Sequence, residues 1–420
     1  MIYAGGYFSF LGDWQPRHCL AALDASTGAV TDWDARLTGY QIQALAVRGS
    51  TLYVGGDFSE MGGLHRANLA AFDASTASPV AWSPSPDGPV WALTASESTL
   101  YAGGVFTHVG GQERHRLAAL RLTDGSATAW DPNADDAVAA LAVGGGTVYA
   151  GGLFGRMGGL TRSRIAAVDA ASGAVTSWDP AVFSWGWVNG LAVDGSNVYV
   201  GGVFSSVGGQ TRNNLAAVSA ASGLATDWNP DANGEVESVA VSGGTVFAGG
   251  FFKTVSGQSR RGLVAVDAAT AAVSDWNPIA DAVIWAMSPS NGVLYVGGGF
   301  SSVLGVPHSN VAGIAMPTGA TATTPNIVPP GAHIASLGRI APNPTRADAM
   351  VRFQLLAPTR VKLAFYDLQG RQIEGVADDE VRPAGAYEIP VRTAGWPAGI
   401  YFCRLEGAGQ ALTQKLLVIK

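Results

Sequence analysis

The chain has 420 residues, a net charge of −7, only 14% charged side chains and 56 glycines. That composition excludes a disordered acidic chain and a helical bundle rich in Glu, Lys and Leu, and no run of about 18 apolar residues is long enough to span a membrane. Residues 1–330 hold 14 basic and 24 acidic side chains, a net of −10, and residues 331–420 hold 11 and 8, a net of +3; a large acidic body repels phosphate backbones and excludes nucleic acid as the main partner.

From its first residue the chain repeats itself. "MIYAGGYFS" returns as "TLYVGGDFS", "TLYAGGVFT", "TVYAGGLFG", "NVYVGGVFS", "TVFAGGFFK" and "VLYVGGGFS". The aromatic residue before the paired glycines falls at Tyr3, Tyr53, Tyr101, Tyr149, Tyr199, Phe247 and Tyr295, always 48 or 50 residues on. A second anchor follows at Trp33, Trp82, Trp130, Trp178, Trp228 and Trp276. Within a unit, as in "VNGLAVDGSNVYVGGVFSSVGGQTRNNLAAVSAASGLATDW", short β-rich runs alternate with Gly, Asn and Ser turns. Four strands per unit are predicted: an inner "VNGLAV", a second "NVYVGGVF", a third "NLAAVS" and an outer "LATDW".

A four-stranded sheet cannot bury both faces alone, so the units stack, and radial stacking closes a ring. The predicted fold is all-β, a seven-bladed β-propeller over residues 1–325 with 27 of 28 strands. The first unit lacks its innermost strand. The outer run of the seventh is "GATATTP", with Thr324 in place of the tryptophan. The N-terminus shows no basic segment followed by an apolar one, hence no visible export signal. A truncated N-terminus, whose missing part held the inner strand and that signal, is expected.

Paired glycines inside a strand cost entropy and persist where another group comes very close. The expected group is the tryptophan of the same or a neighbouring blade. Arg17, Arg66, Arg114, Arg162, Arg212 and Arg260 share one repeat position, three residues before the third strand, and are expected to hold loop carbonyls or carboxylates such as Asp24, Asp73, Asp169 and Asp267. His18, His65, His108, His115 and His308 fall on the loops of four different blades at different repeat positions, with His333 in the connector, and read as scattered surface residues. Two loops, "DPNADD" (Asp131, Asn133, Asp135) and "NPDANG" (Asn229, Asp231, Asn233), alternate oxygen side chains like the first half of a calcium loop. They lack the downstream acidic ligand, and Asx residues also cap turns.

Function is expected where the copies disagree. The second position of the inner strand reads Gln43, Trp91, Ala139, Asn189, Glu237 and Trp285, a ring at the mouth of the central channel. Irregular loops add Phe183, Trp185 and Trp187, and also Trp14 and Tyr40. Flat aromatic faces suit sugar rings or apolar partner residues.

Residues 326–340 read as a connector. Alternating runs in 341–420, "VRFQL", "VKLAFYD", "YEIPV" and "IYFCRLE", predict a β-sandwich of about seven strands. Cys19 and Cys403 sit in different domains and read as two buried hydrophobes, not a bridge.

The pattern V-x-A-L-A-V, Y-V-G-G-x-F, G-G-x-x-R-x-N-L-A and W-N-P resembles the delta-60 bacterial β-propeller repeat. "LAALDASTGAVTDW" is similar to the tryptophan-docking motif of quinoprotein propellers, with the Trp one residue late and no quinone-site residue matched. Pro342, Asn343, Pro344, Tyr366, Asp367, Gly370, Gly385, Gly399, Tyr401 and the terminal "KLLVIK" ending at Lys420 resemble the type IX secretion C-terminal sorting domain and its relative, the immunoglobulin-like domain of flagellar hook-capping proteins. The resemblance implies a bacterial protein carried by outer-membrane secretion machinery to the surface or beyond.

No HExxH, GxSxG, P-loop or CxxC motif is present, and no catalytic residue or cofactor is assigned. The reading is a monomeric, secreted or cell-surface, non-catalytic binding or scaffold protein whose loop face takes a glycan or an extracellular protein. The alternative is an extracellular polysaccharide lyase or hydrolase using carboxylates such as Glu237, Asp135 and Asp231 at the channel mouth; the sequence shows no opposed pair.

Overall fold

The structure is a computed structural model that describes residues 1–11, 15–25, 28–182, 186–307, 310–317, 327–328, 334–338, 340–355, 358–367, 371–407 and 410–419. Every regular element among them is a strand. Units two to six repeat one antiparallel sheet. In unit four it runs from an inner strand Val138–Gly144 through Thr147–Gly152 to a third strand Ile165–Asp169. Glycine pairs with positive φ, such as Gly110–Gly111 and Gly158–Gly159, make the two-residue turns of the small outer hairpins.

The outer run does not form a full strand in these units. It makes a single bridge, for example Val168 to Val175 and Val218 to Ala225. Side chains take the groups that would extend the ladder: Arg162 Nη2 donates to Thr176 O at 2.6 Å, and the Trp178 amide donates to Thr176 Oγ1 at 3.3 Å. The chain therefore turns away, carrying its tryptophan under the next unit. In unit seven a fourth strand does pair, but it is Ile327–Val328 against Val311–Ala315. Thr324 and the rest of "GATATTP" lie outside the described residues. The pairings at 327–328 and of Ile334–Leu337 both fall in the stretch read as connector.

Each tryptophan joins two units. Tyr101 meets Trp130 edge to face at 5.2 Å, and the Trp130 indole donates to Asp169 O of unit four at 2.9 Å while Tyr101 donates to Ala170 O at 3.2 Å. Trp82, Trp178, Trp228 and Trp276 repeat the indole bond at 2.8–2.9 Å. The bare backbone beneath the indole is the turn glycine of the next unit: a Cβ on Gly125 would lie 3.3 Å from Trp82, and one on Gly173 3.1 Å from Trp130.

The paired glycines serve a different contact from the one expected. A Cβ on Gly55, Gly103, Gly151, Gly201 or Gly249 would stand 2.5–2.8 Å from a γ-carbon of Val90, Val138, Val188, Val236 or Ile284, the first inner-strand residue of the following unit. In units two to seven the second glycine of the pair faces backbone within its own sheet: a Cβ on Gly152 would stand 2.1 Å from Ala137 O. Two β-sheets thus approach closely because one carries no side chain at the crossing. The inner strands of successive units lie side by side, and Val311 of unit seven packs against the Leu11, Ala21 and Leu23 cluster of unit one, which closes the ring.

The C-terminal domain is a two-sheet sandwich. One sheet orders Ile334–Leu337, Asp348–Leu355 and Gly385–Arg392; the other orders Gln372–Arg382, Thr359–Tyr366, Gly399–Gly407 and Gln410–Val418. Val351, Phe353, Leu363, Phe365, Cys403 and Leu405 fill the space between them. Asn343, between Pro342 and Pro344, staples the last strand: its Nδ2 donates to Lys415 O at 2.7 Å and its Oδ1 accepts from Leu417 N at 2.9 Å. Asp367, after Tyr366, accepts from Arg371 Nε at 3.0 Å, and Tyr401 donates to Pro397 O at 2.8 Å. Gly385 and Gly399 begin strands, while Gly370 and Lys420 lie outside the described residues. Cys19 and Cys403 are both buried and unbridged, and burial pushes the Cys403 thiol up to about 12.

Candidate functional site

The inner and second strands are antiparallel, so the start of one lies beside the end of the other, Val236 opposite Gly250. Residues at the start of the inner strand and residues just after the paired glycines therefore share one mouth of the channel. There the copies diverge most.

Glu237 is the second residue of the inner strand of unit six, Val236–Ser242, Glu235 immediately precedes that strand, and the two carboxyls are in hydrogen-bond reach. Asn189, at the equivalent place in unit five, donates to Glu237 Oε2 at 2.7 Å and to Glu235 Oε1 at 3.4 Å, and the Trp187 indole donates to Glu235 Oε1 at 2.8 Å. Burial, then the Glu235 charge and its hydrogen bond, raise the Glu237 carboxyl to about 7. Two carboxylates in reach of each other do not both ionise cheaply, so the Glu237 carboxyl keeps its proton to near neutrality. It can donate one hydrogen bond and accept several.

This has a consequence for stability. The folded carboxyl titrates near 7 and an unfolded one near 4.5, so its contribution is intact below about 4.5 and lost as pH rises to about 7. Glu237→Gln should therefore melt like the parent at pH 4.5 and above it at pH 8, by on the order of 1 kcal/mol after allowing for solvent screening of a half-buried group. Parallel melting curves at the two pH values check it; equal stability at pH 8 would refute it.

At the corresponding strand ends of other units stand exposed rings. Trp285 occupies the ring position of unit seven and meets Phe251 of unit six edge to face at 5.2 Å, with both about half exposed at 51%. Tyr40 of unit two stacks obliquely on Tyr7 of unit one at 5.1 Å, with exposures of 62% and 71%. Gln43 is exposed and Trp91 half-buried at the same register, but no described hydrogen bond or ring contact joins them to Glu237. Trp14, Phe183 and Trp185 lie outside the described residues.

Glu235, Phe251 and Tyr7 are absent from the sequence-derived set. The signal was available: Phe251 and Tyr7 follow the paired glycines where the other copies place Asp57, Val105, Leu153, Val203 and Gly299, and Glu235 sits two residues before Glu237.

The other conspicuous side chains brace loops. Asp135 Oδ1 accepts from the Gly155 and Arg156 amides at 2.9 and 3.0 Å, and Asn233 Oδ1 does the same for Lys253 and Thr254. Asn133 and Asp231 take positive φ at the turns, Asp231 accepting from Asn213; Asp131 lies 3.9 Å from Arg114, and Asn229 is exposed. No group of three or more His, Cys, Asp or Glu among the described residues is gathered for a metal. The repeat arginines hold carbonyls, as expected, but Asp73, Asp169 and Asp267 cap turns instead of pairing with them. His108 is exposed beside Asp87, and His115 is half-buried beside Glu113.

A ring of sheets with a divergent, aromatic and acidic mouth, followed by a two-sheet sandwich, defines a β-propeller protein with a C-terminal β-domain. Residues 15–229 match the family described as outer membrane protein assembly factor BamB, and the chain belongs to that family. Residues 339–420 match the secretion system C-terminal sorting domain, which places the protein on the cell surface or outside the cell. No curated protein matches the chain.

Among solved structures, the chain is similar to the computationally designed Ika8 protein, 14% identical over 94% of this chain and 100% of that one, with a TM-score of 0.43. A chain of the Mitotic Checkpoint Complex is 16% identical over 82% and 94%, with a TM-score of 0.49. An extracellular domain assigned to a one-component system of B. thetaiotaomicron is 9% identical over 100% of this chain and 56% of its own, with a TM-score of 0.46.

Proposed function

We propose that the protein is an exported binding module, a seven-bladed propeller whose loop face recognises a glycan while the C-terminal domain, residues 341–420, engages the secretion machinery. One observation carries this: the Phe251–Trp285 platform is solvent-exposed at the same mouth as a carboxyl pair that keeps a proton to near neutrality. A flat aromatic face covers the apolar side of a sugar ring, and a carboxylic acid beside a carboxylate both donates to and accepts from hydroxyls. The test is an array of neutral and acidic extracellular glycans probed with the full chain. Trp285→Ala should weaken any glycan bound by about tenfold or more, a loss of about 1.4 kcal/mol. Binding that survives both Trp285→Ala and Phe251→Ala would overturn the reading, and capture of a protein instead would replace the glycan.

A second reading, a polysaccharide lyase or hydrolase, draws on the Glu237 carboxyl raised to about 7, which suits a general acid. Against it, Glu235 and Glu237 are in hydrogen-bond reach of each other, closer than the roughly 5–9.5 Å that separates paired glycosidase carboxyls. Shortened chains released from a bound polysaccharide, and lost with Glu237→Gln, would favour catalysis.

A further inference from the structure

The carboxyl pair and the Phe251 ring belong to one continuous strip. The Phe251 amide donates to Glu235 O at 2.8 Å, which ties the two residues together at the strand ends. Unit seven shows where the Phe251 side chain starts. A Cβ on Gly299, the counterpart of Phe251, would lie 3.4 Å from Val283 Cγ1 and 3.7 Å from Trp285 Nε1, and Val283 and Trp285 stand where unit six has Glu235 and Glu237. Trp187 and Asn189 of unit five close the other flank, with hydrogen bonds of 2.7–3.4 Å to the two carboxyls. At the places of Glu235 and Glu237, units two to four carry Gln41 and Gln43, Pro89 and Trp91, and Ala137 and Ala139. The acidic part of the mouth therefore lies on one side of the ring, across units five and six.

The charge there has no internal counterpart. Among the described residues the groups that act on Glu237 are Glu235 and Asn189, and no basic side chain is one of them. Trp187, Phe251, Val283 and Trp285 are neutral, and the neighbouring segment Phe183-Ser184-Trp185 carries no charge by sequence. Trp187 and Asn189 supply N–H donors but no charge, so they orient the carboxyls without cancelling the repulsion between them. A sugar hydroxyl would leave that repulsion in place. An ammonium group cancels it, offers three donors to the carboxyl oxygens, and lies well beside an aromatic face. A carboxylated or sulfated sugar would add to it. The net charge of −10 over residues 1–330 draws cations at longer range.

Resting on the glycan reading above, we infer that this strip selects glycans with free amino groups, holding the ammonium between the Glu235 and Glu237 carboxyls and the adjoining sugar face on Phe251. The ammonium takes the place of the proton that Glu237 otherwise keeps, and that proton leaves to solvent as the complex forms.

The experiment uses the full chain at about pH 6, where the amine is charged and Glu237 still holds its proton. The probes are four tetrasaccharides: β-1,4-linked glucosamine, its N-acetylated form, the glucose analogue and a galacturonate. The glucosamine chain should bind about tenfold or more tighter than the N-acetylated and glucose chains, with the galacturonate weakest. Titration calorimetry in two buffers of different ionisation heat should show protons released with glucosamine and none with the N-acetylated chain. The double variant Glu235→Gln/Glu237→Gln, which relieves the repulsion and is checked by its melting curve, should lose both the preference and the proton release. Equal affinity for the N-acetylated or glucose chain would overturn the inference and leave the glycan reading standing. A preference that survives the double variant, or binding of glucosamine without proton release, would also overturn it. So would binding by none of the four, and the glycan array then decides the broader reading separately.

Discussion

Replacing Trp130 by alanine should destabilise the propeller by about 3–5 kcal/mol, the range for emptying a buried aromatic site. The indole is 3% exposed and makes three kinds of contact at once: edge to face on Tyr101, over the turn at Gly173, and an Nε1 hydrogen bond to Asp169 O at 2.9 Å. Two of these partners belong to the next unit, so the loss falls on the interface between units as well as on the core. Trp130→Phe keeps the ring and loses the donor; the Asp169 carbonyl still accepts from the Gly173 amide at 3.0 Å, so the cost is that of one hydrogen bond, about 0.5–1.5 kcal/mol. Urea unfolding followed by far-ultraviolet circular dichroism orders the three proteins. An alanine variant within 1 kcal/mol of the parent would mean that the indole does not tie the units together.

Gly152→Ala should be of similar severity for a different reason. Its Cβ would lie 2.1 Å from Ala137 O and 3.0 Å from Val138 Cα, both main chain, so no side chain can swing aside. Overpacking that must move backbone costs about 3 kcal/mol or more. Gly159→Ala is the control: it has positive φ but nothing within 4 Å of a Cβ, so only left-handed strain of about 1–2 kcal/mol is expected. Equal losses for the two variants would show that backbone conformation, not close approach, fixes the paired glycines.

These two positions mark how far sequence reasoning reaches. The aromatic and tryptophan anchors at near-constant spacing announce identical sheets that must stack, and the family match and closed ring agree. The same pattern joined the wrong partners. Glycine and tryptophan recur together, so pairing them is natural, yet the glycines meet a valine or isoleucine about 35 residues later, while the indole meets a different glycine in the turn of the next unit. Periodicity says that every unit makes the same contact but not with which neighbour. The outer strand is another instance: "LATDW" alternates like a strand, and only the arginine that takes the threonine carbonyl ends the ladder after one bridge.

The candidate site was half legible. Asn189, Glu237 and Trp285 stood out because they vary at a position whose neighbours do not. Glu235 and Phe251 became visible only when the ends of antiparallel strands were brought side by side, which sets a residue just after the glycines near one that starts an inner strand of the following unit.

What the sequence by itself determined is the repeating sheet and its export domain, because a period in apolar and turn residues constrains every unit alike. The tertiary structure alone decided the carboxyl pair and the raised Glu237 carboxyl, the exposed ring pairs, and the left-handed φ at Cys19, Asn68, Arg116, Arg164, Asn214, Gly262 and Asn310, one position filled by four residue types. The ring pairs and the Asn189 and Trp187 bonds to the carboxyl pair depend on distances between residues on different units. Such distances are set when the units close on one another, and no single unit encodes them.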